Sequence, residues 1–402
     1  MLFTSGVYTG VVKQHKKEVS GMNRFYIRRM GVAAAAAVIL VCQSMTAAAQ
    51  DASGQAKEKA VEYLKSRIEA QCPVASFEVD DPLLSVSSYT YDSSIAAMAL
   101  ISAEEYDAAS SILDAFVEGV NHDPEFNDRL RNAYMAGKAS DLPGYWDEEQ
   151  EMWIQDAWLV GSSTKSSCAA AVAMLMYDQA RGSDAFLDTA ITAVDWVIDN
   201  CRDGGAGFTS GYTGWLNAGN STELTYKTTV DNLWMYAACT MLAEATGWDK
   251  YTEAADSAYQ FVTEEMYSAG DTRFFQGTKT DGTTPVTNLI SVEPQALAAL
   301  CLNDDSGLDN IDSCLAPDGG YAYDNSAAEA SWLEGTFMTA QAFRKIGDAE
   351  SADRILTAMV PLQLPTGAFP QAGSAELSTG EADVVLHDWP SVCSCAWFIL
   401  AS

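Results

Sequence analysis

The stretch Thr229-Val-Asp-Asn-Leu-Trp-Met-Tyr-Ala-Ala-Cys-Thr-Met-Leu-Ala-Glu-Ala-Thr246, followed by Gly247-Trp248-Asp249, decides the fold. Its first part is alanine-rich and apolar and lacks glycine and proline, so it predicts a helix buried on most of its circumference. Gly247 supplies the left-handed residue that ends such a helix. Beyond Trp248-Asp249, the residues Tyr251, Ala254, Ala255, Ala258, Phe261 and Val262 recur at steps of three and four. That spacing gives one apolar stripe and one polar face. Residues 228–266 are thus a helical hairpin: one buried helix, a tight turn, one amphipathic helix.

Outward from this copy the unit recurs, as in a repeat architecture. It is found at 166–180 with 184–200 around Arg181-Gly182-Ser183, and at 329–346 with 349–362 around Gly347-Asp348. It is found again at 91–102 with 105–120 around Ala103-Glu104, and in shorter form at 291–303 with 307–315. Two helices remain, 56–70 near the start and 390–401 at the end. Paired, they make a sixth hairpin. The expected fold is all-α: an (α/α)6 toroid, apolar helices inside, amphipathic helices outside, the N-terminal and C-terminal helices pairing to close the ring. An open solenoid also stacks hairpins, but six units that use both ends of the chain favour closure.

The N-terminus reads as a leader. Met22 is a natural start, Arg24, Arg28 and Arg29 form a basic segment, residues 30–42 are apolar, and Ala47-Ala48-Ala49 offers a cleavage site. This is the order of a secretory signal peptide, and the apolar run is too short for a membrane span. The expectation is a secreted or periplasmic protein: residues 1–49 extension and signal peptide, residues 50–402 a single toroid domain, monomeric, not inserted in the membrane after cleavage. Without residues 1–49 the chain holds 17 Lys/Arg against 54 Asp/Glu, a net charge of −37. Such a charge repels nucleic acid, which is excluded as a partner.

Eight cysteines follow the leader. Cys168, Cys239 and Cys301 lie in helical runs, where a thiol packs as a small apolar group. Export permits disulfides, and one or two bridges are expected, Cys301 and Cys314 being the nearest pair in sequence. With only His122 and His387 after the leader, and Cys393-Ser-Cys395 lacking zinc-ligand spacing, no metal site is expected. No phosphate loop, nucleophile elbow or other cofactor signature occurs, so no cofactor is expected.

In a closed ring the N-termini of the inner helices line one bowl. Tyr89, Tyr91 and Asp92 open the first, Tyr226, Lys227, Asp231 and Asn232 the third, Glu293 the fourth, Trp332 and Glu334 the fifth, and Trp389 leads into the sixth. The loops add Trp146, Trp153 and Trp215. Aromatic faces stack on sugar rings, while carboxylates and amides bind hydroxyls, so the expected partner is an oligo- or polysaccharide. Each aromatic could equally be core, and Asp92 could serve the helix dipole. Glu334 stands among Trp332, Leu333 and Phe337 in a helix with no other acid from Ser331 to Ile346. Such surroundings raise a carboxyl pKa, as a general acid requires. Glycosidases commonly use two carboxyls, and the candidates are Glu334 as acid with Asp92 or Asp231 as base.

Three short segments carry a resemblance: Tyr89-Thr-Tyr-Asp92, Lys227-Thr-Thr-Val-Asp-Asn232, and Trp332-Leu-Glu-Gly-Thr336, each opening a hairpin. Over residues 85–400 the chain resembles the six-hairpin glycosidase superfamily, and within it a little-characterised bacterial branch. The resemblance implies the (α/α)6 fold and action on glycans. Val230 stands where that pattern has an acid. A secreted glycoside hydrolase is the leading expectation. The alternatives are a polysaccharide lyase, with Tyr89, Tyr91 or His387 as base and Lys165, Lys227 or Arg273 receiving the uronate, and a non-catalytic glycan-binding protein on the same fold.

Overall fold

The structure is a computed structural model that describes residues 47–123, 128–214, 221–380 and 384–402. The basic and apolar segments of the leader, and Trp215, lie outside the described residues.

Among the described residues eleven α-helices carry the architecture: α1 (Ala47–Ala70), α2 (Thr90–Ser102), α3 (Tyr106–Asn121), α4 (Thr164–Arg181), α5 (Leu187–Asn200), α6 (Thr229–Thr246), α7 (Asp249–Gln260), α8 (Val292–Leu302), α9 (Leu333–Lys345), α10 (Ala349–Met359) and α11 (Val392–Ala401). Around the inside, α2 packs on α4, α4 on α6, α6 on α8, α8 on α9, α9 on α11, and α11 returns to α2. The ring is closed. Outside it lie α1, α3, α5, α7 and α10, each against its inner partner. The fourth hairpin is the exception, its outer arm a single 3-10 helix, Leu308–Cys314. The fold is an (α/α)6 toroid, as the hairpin count predicts.

Local chemistry explains the elements. Thr228 caps α6 by accepting the Asp231 N–H, Ser163 caps α4 through Ser166, and Ser391 caps α11 through Ser394. Each cap satisfies an orphan donor of the first turn. Gly182 and Gly247 end α4 and α6 in the left-handed conformation at φ 61° and 71°. Inner helices touch neighbours on both sides as well as their outer partner, so almost every residue from Thr90 to Ile101 and from Val292 to Cys301 is buried. Alanine dominates there because helices that close together leave room for little else. The outer helices bury only a stripe, in α10 Ala352, Ile355, Leu356 and Met359. The closing seam is held by polar bonds too: Lys57 Nζ donates to Ser402 O at 2.9 Å, and Arg344 Nε to Ala401 O at 2.7 Å.

Short antiparallel strands occupy the loops at the end of the ring where the inner helices begin. β1 (Ser87–Tyr89) pairs with β2 (Ala133–Met135) and runs directly into α2. β3 (Tyr145–Asp147) and β4 (Met152–Ile154) form a hairpin in the loop before α4. The eight cysteines of the described residues are free thiols. This corrects the expectation of one or two bridges: Cys301 and Cys314 are buried in the apolar core as separate small side chains.

Candidate active site

The inner-helix N-termini surround a cavity of about 910 Å³. Tyr91 and Asp92 of α2, Lys165 of α4, Val230 and Asp231 of α6, and Glu293 of α8 face it, and Tyr89, Trp158, Tyr226 and Tyr323 add aromatic walls. Helix N-termini carry partial positive charge, so a floor built on them favours carboxylates.

Lys165 is the centre of that floor. Its ammonium sits 2.6 Å from Glu293 Oε1 and 3.9 Å from the centroid of the Tyr91 ring. Burial works to lower its pKa, but the charges of Glu293 and Glu334 more than reverse this and hold it above the ordinary lysine value. Lysine at the second position of a helix ordinarily reaches solvent, and sequence reasoning placed Lys165 only among the cations of a uronate site. The polar run Ser162-Ser163-Thr164-Lys165-Ser166-Ser167 ahead of an alanine-rich helix was the available signal.

Asp92 is buried, with Oδ2 lacking a hydrogen-bond partner. Burial pushes its carboxyl up to about 6, against the opposing pull of Ser76, Lys165 and Cys393. Glu334 is partly buried beside this floor rather than among its lining residues, with Oε1 sealed and unpartnered. Burial raises its carboxyl well out of the carboxylate range, to about 8. Lys165 opposes the rise, while Glu293 and Asp92 add to it. The Cys393 thiol, at the start of α11, is buried between the fields of Glu334 and Asp92, which with burial push it far above the usual thiol range.

Asp231 is differently placed. Oδ1 accepts the backbone N–H of Lys165 at 3.0 Å, and Oδ2 accepts the hydroxyls of Ser210 and Thr228. It therefore ties the first turns of α4 and α6 together, although burial still raises its pKa.

Other candidates fall outside the cavity lining. Lys227 is buried, donating to Ala206 O at 2.7 Å and pairing with Asp203 at 2.8 Å. The Asn232 amide bonds the backbone of Phe208 and Thr228. Trp332 packs with Ala330, Ala372, Leu377 and Leu386 in a small separate cluster. Gly335 is needed by that indole, since an added Cβ would lie 2.3 Å from the Trp332 ring. Trp389 stacks on His387 at 4.0 Å and meets Phe77 edge-on, and Phe77 in turn meets Tyr89. Trp146 and Trp153 are exposed on the β3–β4 hairpin. Of the cations offered for a uronate, Arg273 spends its guanidinium on Leu289 O and Thr287 O.

The chain has an (α/α)6 toroid fold. No protein-family model and no curated protein matches the sequence. Among solved structures, a glycosidase superposes with a TM-score of 0.63 at 12% identity, over 89% of this chain and 98% of that one. A GH76 alpha-mannanase from Bacteroides thetaiotaomicron gives 0.56 at 10% identity, over 87% and 95%. An alpha-amylase from Clostridium perfringens gives 0.58 at 9% identity, over 86% and 96%. At such identities the likeness is one of fold, and the six-hairpin toroid is shared over nearly the whole length of each.

Proposed function

We propose that the chain is an exported glycoside hydrolase, with Glu334 as general acid and Asp92 as the second carboxylate. The observation that carries this reading is the grouping of carboxyls around one ammonium, that of Lys165: Asp92 and Glu293 on the cavity floor and Glu334 beside it. One positive charge cannot compensate three buried negative ones, so a proton is retained in the group. Glu334 retains it, being pushed furthest up. A neutral carboxyl beside an ionised one is the division of labour that glycosidic cleavage uses.

In this reading the glycan stacks on Tyr89, Trp158 and Tyr226 and its scissile oxygen takes the Glu334 proton. Asp92, with its unpartnered oxygen, meets the opposite side as base or nucleophile. Glu293 pairs with Lys165 and binds hydroxyls. Asp231 keeps the α4 turn, and hence Lys165, in register. The lyase reading loses support: Lys165, Lys227 and Arg273 are engaged by protein groups, and burial raises both tyrosine hydroxyls, so neither Tyr89 nor Tyr91 is a ready base.

The test is product release by residues 50–402 from starch, alpha-mannan, beta-glucan and a polyuronate. New reducing ends without unsaturated products support the hydrolase. Unsaturated uronates would establish a lyase, and no release from any polymer would favour a glycan-binding protein.

A further inference from the structure

Two tryptophans on the β3–β4 hairpin are not absorbed by the cavity. Trp146 and Trp153 are 51% and 48% exposed, among the most exposed large apolar residues described. They are directly paired across the hairpin, so both indoles stand on the same face. The neighbouring pair Tyr145 and Ile154 points to the other face and is partly covered. Leaving two adjacent indoles in water forgoes the stabilisation that burying large apolar side chains ordinarily brings.

The hairpin is stiffly built. Asp147 Oδ1 accepts the N–H groups of Glu149 and Gln150, each at 2.9 Å, and Glu151 closes the turn in the left-handed region at φ 50°. The Trp153 indole lies across Gly144, where an added Cβ would approach its Nε1 to 2.5 Å. A rigid aromatic face loses little entropy when it binds.

The platform belongs to the same loop as one wall of the cavity. Trp158, which lines the cavity, follows Trp153 in the same loop after at most about 18 Å of chain. It is fixed there by the Asp156 carboxylate, which accepts its N–H at 2.8 Å, and it meets Tyr89 edge-on. The hairpin tip carries Asp147, Glu148, Glu149 and Glu151 with no basic residue between them. This charge turns away polyuronates and anionic membrane surfaces and leaves neutral sugar faces as the chemistry that fits.

We propose that Trp146 and Trp153 form an outer carbohydrate subsite that holds a neutral polysaccharide chain whose other end enters the cavity past Trp158. The proposal rests on the glycan reading of the cavity, but its test is independent of catalysis. The full chain, W146A/W153A, W146F/W153F and E334Q would be run in native affinity gels cast with soluble starch, alpha-mannan or beta-glucan, beside a polyuronate. The expected result is retardation of the full chain and E334Q by a neutral polymer, its loss in W146A/W153A at unchanged thermal midpoint, and its return in W146F/W153F. Retardation that survives in W146A/W153A, or that only the polyuronate produces, would overturn the proposal, as would no retardation of the full chain by any polymer. If the tryptophan-dependent retardation is seen while no polymer is cleaved, the subsite stands and the hydrolase reading falls.

Discussion

Lys165 Nζ lies 2.6 Å from Glu293 Oε1, joining α4 to α8 across the floor of the ring. The two residues are 128 positions apart in the chain, and both side chains are largely removed from solvent. Removing one partner of such a pair leaves the other uncompensated. K165M should therefore destabilise the fold by about 3 kcal/mol, at the low end for buried pairs because Lys165 retains some exposure. Denaturant unfolding would measure it, and K165R should recover most of the loss.

On the proposed roles of Asp92 and Glu334, the same lysine sets the working pH. Its charge lowers the pKa of both Glu334 and Asp92. Without it both carboxyls hold protons to higher pH. The acid limb of kcat/KM, which follows ionisation of Asp92, and the basic limb, which follows deprotonation of Glu334, should both move up in K165M. The pH profile of a K165M variant that still folds would show this; a fall in rate with both limbs unmoved would assign Lys165 a purely structural role.

Stability should fall as pH rises through the neutral range. Asp92 and Glu334 have folded pKa values raised above those of the unfolded chain, so their contribution is complete below about pH 4 and is lost as pH climbs through about 6 for Asp92 and about 8 for Glu334. Within its window each group imposes a slope of about 1.4 kcal/mol per pH unit. E334Q should flatten the decline between about pH 4.5 and 8 and D92N only the part below about 6. Thermal or urea unfolding of the three proteins at several pH values compares them directly.

Asp231 is expected to matter through the scaffold. D231A removes the acceptor of the Lys165 N–H and of two hydroxyls, stranding buried donors, at a cost of about 2–3 kcal/mol. Its urea midpoint should fall further than that of D92A.

G335A tests the support beneath Glu334. Alanine would gain about 0.5–1 kcal/mol in helix propensity, but its Cβ would meet the Trp332 ring at 2.3 Å. Overpacking of this kind costs about 1–3 kcal/mol. The variant should be destabilised, and its activity should drop because Glu334 is the next residue.

The toroid was legible because its signals are local. Alanine-rich runs, glycine stops such as Gly247 and three-four stripes such as Tyr251 to Val262 lie within each hairpin, and closure follows from α1 and α11 being left over. The grouping of Asp92, Glu293 and Glu334 was partly legible, since each opens an inner helix and all such openings face one bowl. Lys165 was not, because nothing in a sequence says that a lysine will be covered by three other helices. Lys227 and Asn232 sit in a hairpin opening like the others, yet their side chains turn to Ala206, Asp203 and Phe208, contacts fixed by loops from a different hairpin. The absence of disulfides among the described residues was equally illegible, because export permits bridges without requiring them.

As the proposed general acid, Glu334 delivers the proton to the leaving group. The most direct measurement is kcat/KM of E334Q relative to the unaltered chain on two substrates: the polysaccharide it cleaves, and an aryl glycoside of the same sugar whose leaving group needs no proton. E334Q should lose about 10²–10⁴ on the polysaccharide and far less on the aryl glycoside. Full activity of E334Q on the polysaccharide, or an equal loss on both substrates, would contradict that role.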